Sequence, residues 1–565
     1  MRIRPAWTVG LGAAVVMVVR LWASWTSRVP QVVADETAYL AMARYLSGGP
    51  SWNLGESAAY MPLYSIVIAP AEVLGLSPDS VYRWAVATNV VLAGLTFVVI
   101  ERLARRITSL SPPWTSAVAA LATTVPALVL SSRFVWSDNL APVFFALIVL
   151  AGLRLLEDPT PASVALFSLC GVAGYLAHSR FLTVMAVMGA TLVILAVRRA
   201  VSWGVVGAAL VAMAVGVLLG DLLVEHLAAE LNMAGRESSE FTRIFRIPDL
   251  ALAVLGQVWY LTVTTGGLAL VGACALIHAA WARYRRRDGD GGDDDVVEGS
   301  PVPLGGGELA FLIALVAVCF GTSAGFMTDR PRPDQLVYGR YNDMFVAPLV
   351  VVGMAAMATA WTWRRALAVT GAAVVVAVGA AQILHHSRFD LLTGPFVPNT
   401  VMGLFALDPL ATQRVRSIAV AAIVVIVVIA LLGWVAQASG RIWVLLGGCA
   451  FLVAVGVNRA HATFEERYVH PDPSAVVEVE RLLDDSGRSG DEVVCAMTAG
   501  CPLLNFYRYQ FYLPGRSFQL RWDESWRSAP VVLGGQEGAD ADLLAGLGYE
   551  MLWSDPSSHG SVWVR

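Results

Sequence analysis

Lysine is absent from this chain, and all 39 basic residues are arginine. Charge of either sign is scarce. It makes up 15% of 565 residues, against roughly 25% in a soluble domain, which excludes an ordinary soluble globular protein. The formal net charge of −4 excludes a broadly basic nucleic-acid binder. A Walker phosphate loop, a dinucleotide fingerprint and a zinc signature are also missing, which argues against ATP-driven and nucleotide-sugar chemistry. The run Asp288-Gly289-Asp290 opens like a calcium loop. It fails further on, because Gly292, Asp293 and Gly299 occupy the places of an oxygen ligand, the turn glycine and the bidentate glutamate. His385–His386 has no third ligand at a suitable spacing, so no metal site is assigned.

What remains is apolar: 57% of the residues are hydrophobic. Crossing about 30 Å of hydrocarbon takes roughly 20 residues. Thirteen stretches are expected to do so, near 6–26, 81–101, 114–131, 139–156, 162–178, 181–197, 203–224, 258–281, 307–327, 344–362, 366–384, 417–437 and 442–458. The first is too long for a signal peptide, and Trp22, Trp25 and Arg28 follow it where a small-residue cleavage site would stand, so it reads as an uncleaved span. With the N-terminus inside, the short arginine clusters at 102–106, 154, 198–199, 283–287, 364–365 and 441 all fall on the cytoplasmic side. An odd number of spans then exports the C-terminus. The segment 60–78, broken by Pro62, Pro70 and Pro78, is expected to lie at the interface, because counting it as a span would invert every later loop.

Two polar regions interrupt the apolar pattern. Residues 283–306 are rich first in Arg, then in Asp and Gly, and read as a flexible cytoplasmic loop. After about residue 459 charge returns with short strand and helix patterns: helix at 476–483 and 541–547, strands at 492–497, 531–533, 551–553 and 562–564. About 100 residues suffice for one small α/β domain. Of six cysteines, Cys170, Cys274, Cys319 and Cys449 lie in apolar spans and read as packing residues. Cys495 and Cys501 lie in the exported region, where an oxidising compartment permits a disulfide. Two reduced thiols are the alternative.

The chemistry gathers at the outer rim. Asp35–Glu36 sits in the first outer loop, with Tyr60 and Tyr64 flanking a proline step about twenty residues further on. A carboxylate pair at a membrane surface is costly to desolvate and usually holds a cation or takes a proton. The bland reading makes Asp35 an N-cap and Glu36 a first-turn charge, and it makes the tyrosines interfacial anchors. Arginines fall on the outer side against the charge bias, among them Arg340 in Tyr338-Gly339-Arg340-Tyr341, Arg180 in the tight turn His178-Ser179-Arg180, and Arg243 and Arg246 in the loop 225–254. Arginine binds phosphate through a rigid fork of donors.

This pattern resembles the polytopic GT-C glycosyltransferases, a superfamily that includes the protein O-mannosyltransferases and the lipid A aminoarabinose transferases. The resemblance rests on the first-loop Asp35–Glu36 pair and the Arg340–Tyr341 step. It implies a GT-C-like α-helical membrane domain over 1–458, with juxtamembrane helices in the first outer loop 27–80, and a small C-terminal exported α/β domain over 459–565. It further implies an inverting transferase that moves a sugar from a polyprenyl-phosphate donor to a cell-envelope glycan, lipid or protein acceptor outside the cell membrane. Asp35, aided by Glu36, would be the general base. Arg340, Tyr341, Arg180, His178, Arg243, Arg246, Tyr60 and Tyr64 would bind carrier phosphate or sugar. No cofactor is required, although a divalent cation beside Asp35–Glu36 is compatible with the pattern. Membrane lipids are the other expected partners, and nucleic acid is not one. The rival readings are a multispan transporter or flippase, and a lipid-carrier polymerase or ligase of another fold. Transporters bury ionisable groups near mid-membrane, whereas these spans are nearly free of charge.

Overall fold

The computed structural model describes residues 5–55, 57–234, 246–287, 301–328, 330–388, 396–408, 415–467, 473–555 and 560–565. Helix α1 (Pro5–Ser24) is followed by α2 (Val33–Leu46) and then by two short helices, α3 (Leu63–Ile68) and α4 (Pro70–Val73), parted at Pro70. These last three lie within the first loop 27–80, where short juxtamembrane helices were expected. Proline in the first turn, where its missing N–H has no partner to lose, opens α5 (Pro78–Ile107), α6 (Pro112–Thr123), α7 (Pro126–Ser131), α8 (Ala141–Glu157) and α9 (Pro161–Ala177). Next come α10 (Phe181–Val197) and α11 (Trp203–Glu230), the latter capped by the Ser202 hydroxyl. The bundle continues through α12 (Ile247–Thr264), α13 (Leu268–Arg287), α14 (Gly306–Phe326), α15 (Pro333–Leu336), α16 (Asp343–Ala360), α17 (Trp363–Ser387), α18 (Val415–Ser439) and α19 (Ile442–Arg467).

Among the described residues ten helices are long and apolar enough to cross a membrane, against thirteen expected spans. The difference lies in the spans expected at 114–131, 162–178 and 181–197. Helices α9 and α10 are each 17 residues, so they reach only about 25 Å. The expected span 114–131 is two short helices, divided between Thr123 and Pro126. The expected span 258–281 breaks at Gly266 and Gly267, whose φ of +57° and +83° only glycine adopts without strain, and this parts α12 from α13. Helix α13 then lies against α16 at backbone contact. A Cβ on Gly272 would stand 2.0 Å from the Leu349 carbonyl oxygen, and one on Gly353 would stand 2.2 Å from that of Leu268. Small residues allow that approach, which lipid cannot drive.

The last helix of the bundle runs to Arg467, beyond the expected boundary at 458. The C-terminal domain comprises α20 (Pro473–Asp485), β1 (Val493–Ala496), α21 (Leu503–Tyr512), β2 (Phe518–Arg521), β3 (Val531–Gly535), α22 (Gly538–Gly546), β4 (Glu550–Asp555) and β5 (Gly560–Val564). Its sheet has the order β2-β1-β3-β5-β4, with β1, β2 and β3 parallel and β5 antiparallel to both neighbours. Strand β2 is absent from the sequence reading, which marks only the start of α21, at Cys501. Cys495 and Cys501 form a disulfide that closes the loop after β1, where Gly500 turns at φ +73°. Cys319 and Cys449 pack in the bundle, whereas Cys274 is exposed on α13, contrary to its expected packing role.

Candidate active site

Four local structures converge on one polar cluster: the first turn of α2, the 134–139 turn before α8, the 178–180 turn between α9 and α10, and the 338–342 turn before α16. Helix α2 begins at Val33 with Val32 as its N-cap, so Asp35 is inside the helix and is not the cap. The capping work falls to Glu36. Its Oε2 accepts the N–H groups of Gln31 at 2.5 Å and Val32 at 2.6 Å, and its Oε1 accepts the Val135 N–H and the Tyr82 hydroxyl, both at 2.7 Å. Four donors surround a fully buried carboxyl. Burial pushes its pKa up to about 7, and the donors oppose the rise. Glu36 thus fixes the start of α2 to the 134–136 backbone, a structural place, where the sequence reading put it in the catalytic pair.

Successive side chains on a helix point about 100° apart, so locking Glu36 inward turns Asp35 outward. Asp35 Oδ1 accepts the Tyr60 hydroxyl at 2.6 Å, and Oδ2 accepts Arg340 Nη1 at 2.6 Å. Its side chain retains 20% exposure. Burial, followed by the adjacent Asp35 charge, holds the Tyr60 phenol well above its ordinary pKa, so it stays a donor. Arg340 is not a free phosphate clamp. Its Nε is bonded to Asp138 Oδ2 at 2.7 Å, and its guanidinium lies 4.0 Å over the Trp136 ring. Asp138 Oδ1 in turn accepts Arg180 Nη2. The guanidinium of Arg180 sits 4.0 Å over the Tyr341 ring, donates to the Tyr341 carbonyl at 3.3 Å, and donates through Nε to His178 Nδ1 at 3.3 Å. Two carboxylates and two guanidiniums thus alternate in a line, Asp35–Arg340–Asp138–Arg180, with no net charge.

The turn that carries Arg340 is shaped by close approach. A Cβ on Gly339 would lie 1.9 Å from the Tyr260 ring, and the Gly339 and Arg340 N–H groups both bond the Thr400 carbonyl, at 3.0 and 3.1 Å. The cluster thus unites the expected Asp35, Tyr60, Arg340, Tyr341, Arg180 and His178. Tyr64 is elsewhere: it is fully buried and donates to Asn89, which bonds the 132 and 134 carbonyls, so it braces the scaffold. Arg246 is exposed at the start of α12, and Arg243 lies outside the described residues. Asp138 escapes the sequence reading because it sits at the mouth of an apolar span and passes for a boundary residue. A carboxylate at the outer end of a span was the available signal. Asp35 and Glu36 point apart, and both oxygens of Glu36 are taken by donors, so the two carboxylates do not converge on a shared cation position. Among the described residues no three acidic, histidine or cysteine side chains gather.

Replacing Glu36 with Gln tests this division of labour. An amide must aim its NH₂ at one of two donor pairs, so Glu36→Gln is expected to cost about 1–3 kcal/mol of stability. Thermal unfolding in detergent reads it directly. An unchanged midpoint would contradict the four-donor assignment.

The described residues form a helical bundle with ten helices long and apolar enough to cross a membrane, joined to a small C-terminal sheet domain. Solved structures with this architecture include ArnT from Cupriavidus metallidurans in the apo state, with a TM-score of 0.53 at 14% identity, covering 99% of this chain and 97% of that one. The same protein bound to undecaprenyl phosphate gives a TM-score of 0.50 at 14% identity, covering 99% and 98%. No protein-family model and no curated protein matches the sequence. The likeness is one of fold.

Proposed function

We propose that this chain is an inverting glycosyltransferase that takes a sugar from a polyprenyl-phosphate carrier and transfers it to an envelope acceptor on the outer face of the membrane. The observation that carries the reading is Asp35. It is a partly exposed carboxylate on a first-loop helix, held in place by Tyr60 and Arg340, within a fold that in ArnT has been solved with undecaprenyl phosphate. Each carboxylate oxygen accepts one bond there and has a second lone pair to offer an incoming hydroxyl. In the transfer, the acceptor oxygen attacks the anomeric carbon, its proton passes to Asp35, and the bond from that carbon to the carrier phosphate breaks, releasing polyprenyl phosphate. Arg340 pairs with Asp35 and aims it. Arg243 and Arg246, which precede α12 in the chain, are proposed for the leaving phosphate, because Arg180 and Arg340 are both already bound to Asp138.

An apolar groove of about 590 Å³ runs between α10 and α14, lined by Thr183, Val187, Ala190, Val318 and Phe326. Phe326 meets the Tyr341 ring edge-on at 6.5 Å, so the groove's outer end adjoins the polar cluster. That arrangement suits a molecule with a charged head and a long hydrocarbon tail. The purified chain in lipid, given a panel of polyprenyl-phosphate sugars and envelope acceptors, should release polyprenyl phosphate with at least one of them. Absence of release across the panel would overturn the reading.

A further inference from the structure

The C-terminal domain meets the membrane part through α21, which lies against α2, the helix that bears Asp35. Resting on the transferase reading above, we propose that α21 is a positioning element for Asp35, acting through Phe511 and Gln510 without touching substrate. Gln510 is buried and clasps the first loop at two points: its Oε1 accepts the Asn53 N–H and its Nε2 donates to the Asn53 carbonyl, each at 2.8 Å. One residue on, the Tyr507 hydroxyl donates to the Leu54 carbonyl at 3.0 Å. Gly55 follows at φ +52°, where any Cβ would collide with Leu520 of β2. Three consecutive residues of the first loop are thus fixed by one domain edge.

From this edge two routes reach α2. Phe511 stands edge-on to Tyr82 with ring centroids 6.3 Å apart, and Tyr82 donates to the Glu36 carboxylate at 2.7 Å. Glu36 fixes the helix start one residue from Asp35. Phe511 also meets Trp52 at right angles, 6.4 Å between centroids, and Trp52 lies under the guanidinium of Arg44 near the other end of α2. Arg44 is tied there to Glu72 at 3.3 Å and to the Pro514 carbonyl at 3.4 Å. The domain therefore grips both ends of the helix that aims the carboxylate. A small rotation of α2 would swing Asp35 away from Tyr60 and Arg340, and misplacements of about 1 Å cost up to about a hundredfold in rate.

The test uses the full chain in lipid nanodiscs with Phe511→Ala, Phe511→Leu and Gln510→Ala. Turnover at saturating donor should fall on the order of tenfold in the alanine variants, with the donor Kd unchanged and most of the loss recovered in Phe511→Leu. Hydrogen exchange of the amides of residues 34–40 should quicken in the same variants. In a Tyr82→Phe background Phe511→Ala should cost less than it does alone, because the route through the hydroxyl is already cut. Unchanged exchange in α2, a donor Kd that rises with the lost turnover, or strictly additive effects would overturn the proposal. If exchange responds while the wild-type chain transfers no sugar, the positioning role stands and the transferase reading falls.

Discussion

Asp35→Asn should lower turnover by about 10²–10⁴-fold while leaving the protein folded and the carrier bound. The substitution is nearly silent in shape. The amide oxygen can keep the bond from Arg340 Nη1, now 2.6 Å from Oδ2, and the amide nitrogen can donate to the Tyr60 hydroxyl, which accepts as readily as it donates. What is lost is the capacity to take the acceptor's proton. Removing a negative charge also relieves repulsion of a phosphate, so donor affinity should hold or improve. The decisive measurement is turnover and donor binding in one preparation, with thermal unfolding alongside. Wild-type turnover in a folded Asp35→Asn would remove Asp35 from the mechanism. A dead Asp35→Asn that has also lost donor binding would recast it as a binding residue.

The membership of the cluster was largely legible before any coordinates, because charge at a membrane rim is expensive and therefore informative. Arg180 and Arg340 stood out as arginines on the side that the charge bias disfavours, and they share one carboxylate. Their partners were not legible. Phosphate-binding arginines and ion-paired arginines look alike along a chain, and only Asp138, 202 residues from Arg340, separates the two cases. The choice between Asp35 and Glu36 was half legible. Helical geometry requires the two to point apart, but which one faces inward depends on the 134–136 backbone and on Tyr82. The break at Gly266–Gly267 was written in the sequence as a pair of breakers and masked by the unbroken hydrophobicity around it. Helix α21, in Leu-Leu-Asn-Phe-Tyr-Arg-Tyr-Gln-Phe-Tyr, carries aromatic residues on every side and so has no clean period. Its residues divide between its own domain and the first loop, an interface that local pattern does not encode.

Asp138→Ala should be the most damaging single change at the site. Its carboxylate, 6% exposed, is shared by the Arg340 and Arg180 guanidiniums, which are 8% and 4% exposed. Removing one partner of a buried pair typically costs about 3–5 kcal/mol, because the other charge stays buried without compensation. Arg340 would keep Asp35, and Arg180 would keep His178 and the Tyr341 face, so the chain should fold with a lowered melting point. Turnover should fall as well, since Arg340 would lose the contact that fixes its reach toward Asp35. If charge burial is the cause, removing the opposing charge should repair part of the damage. Asp138→Ala combined with Arg180→Met is therefore expected to be more stable than the sum of the two single changes predicts, by about 1 kcal/mol or more. Turnover should not recover with it, because Arg340 remains half-held. Additive melting-point losses would show that Asp138 matters through packing alone, and restored turnover in the double variant would show that Arg340 needs no second carboxylate to hold Asp35.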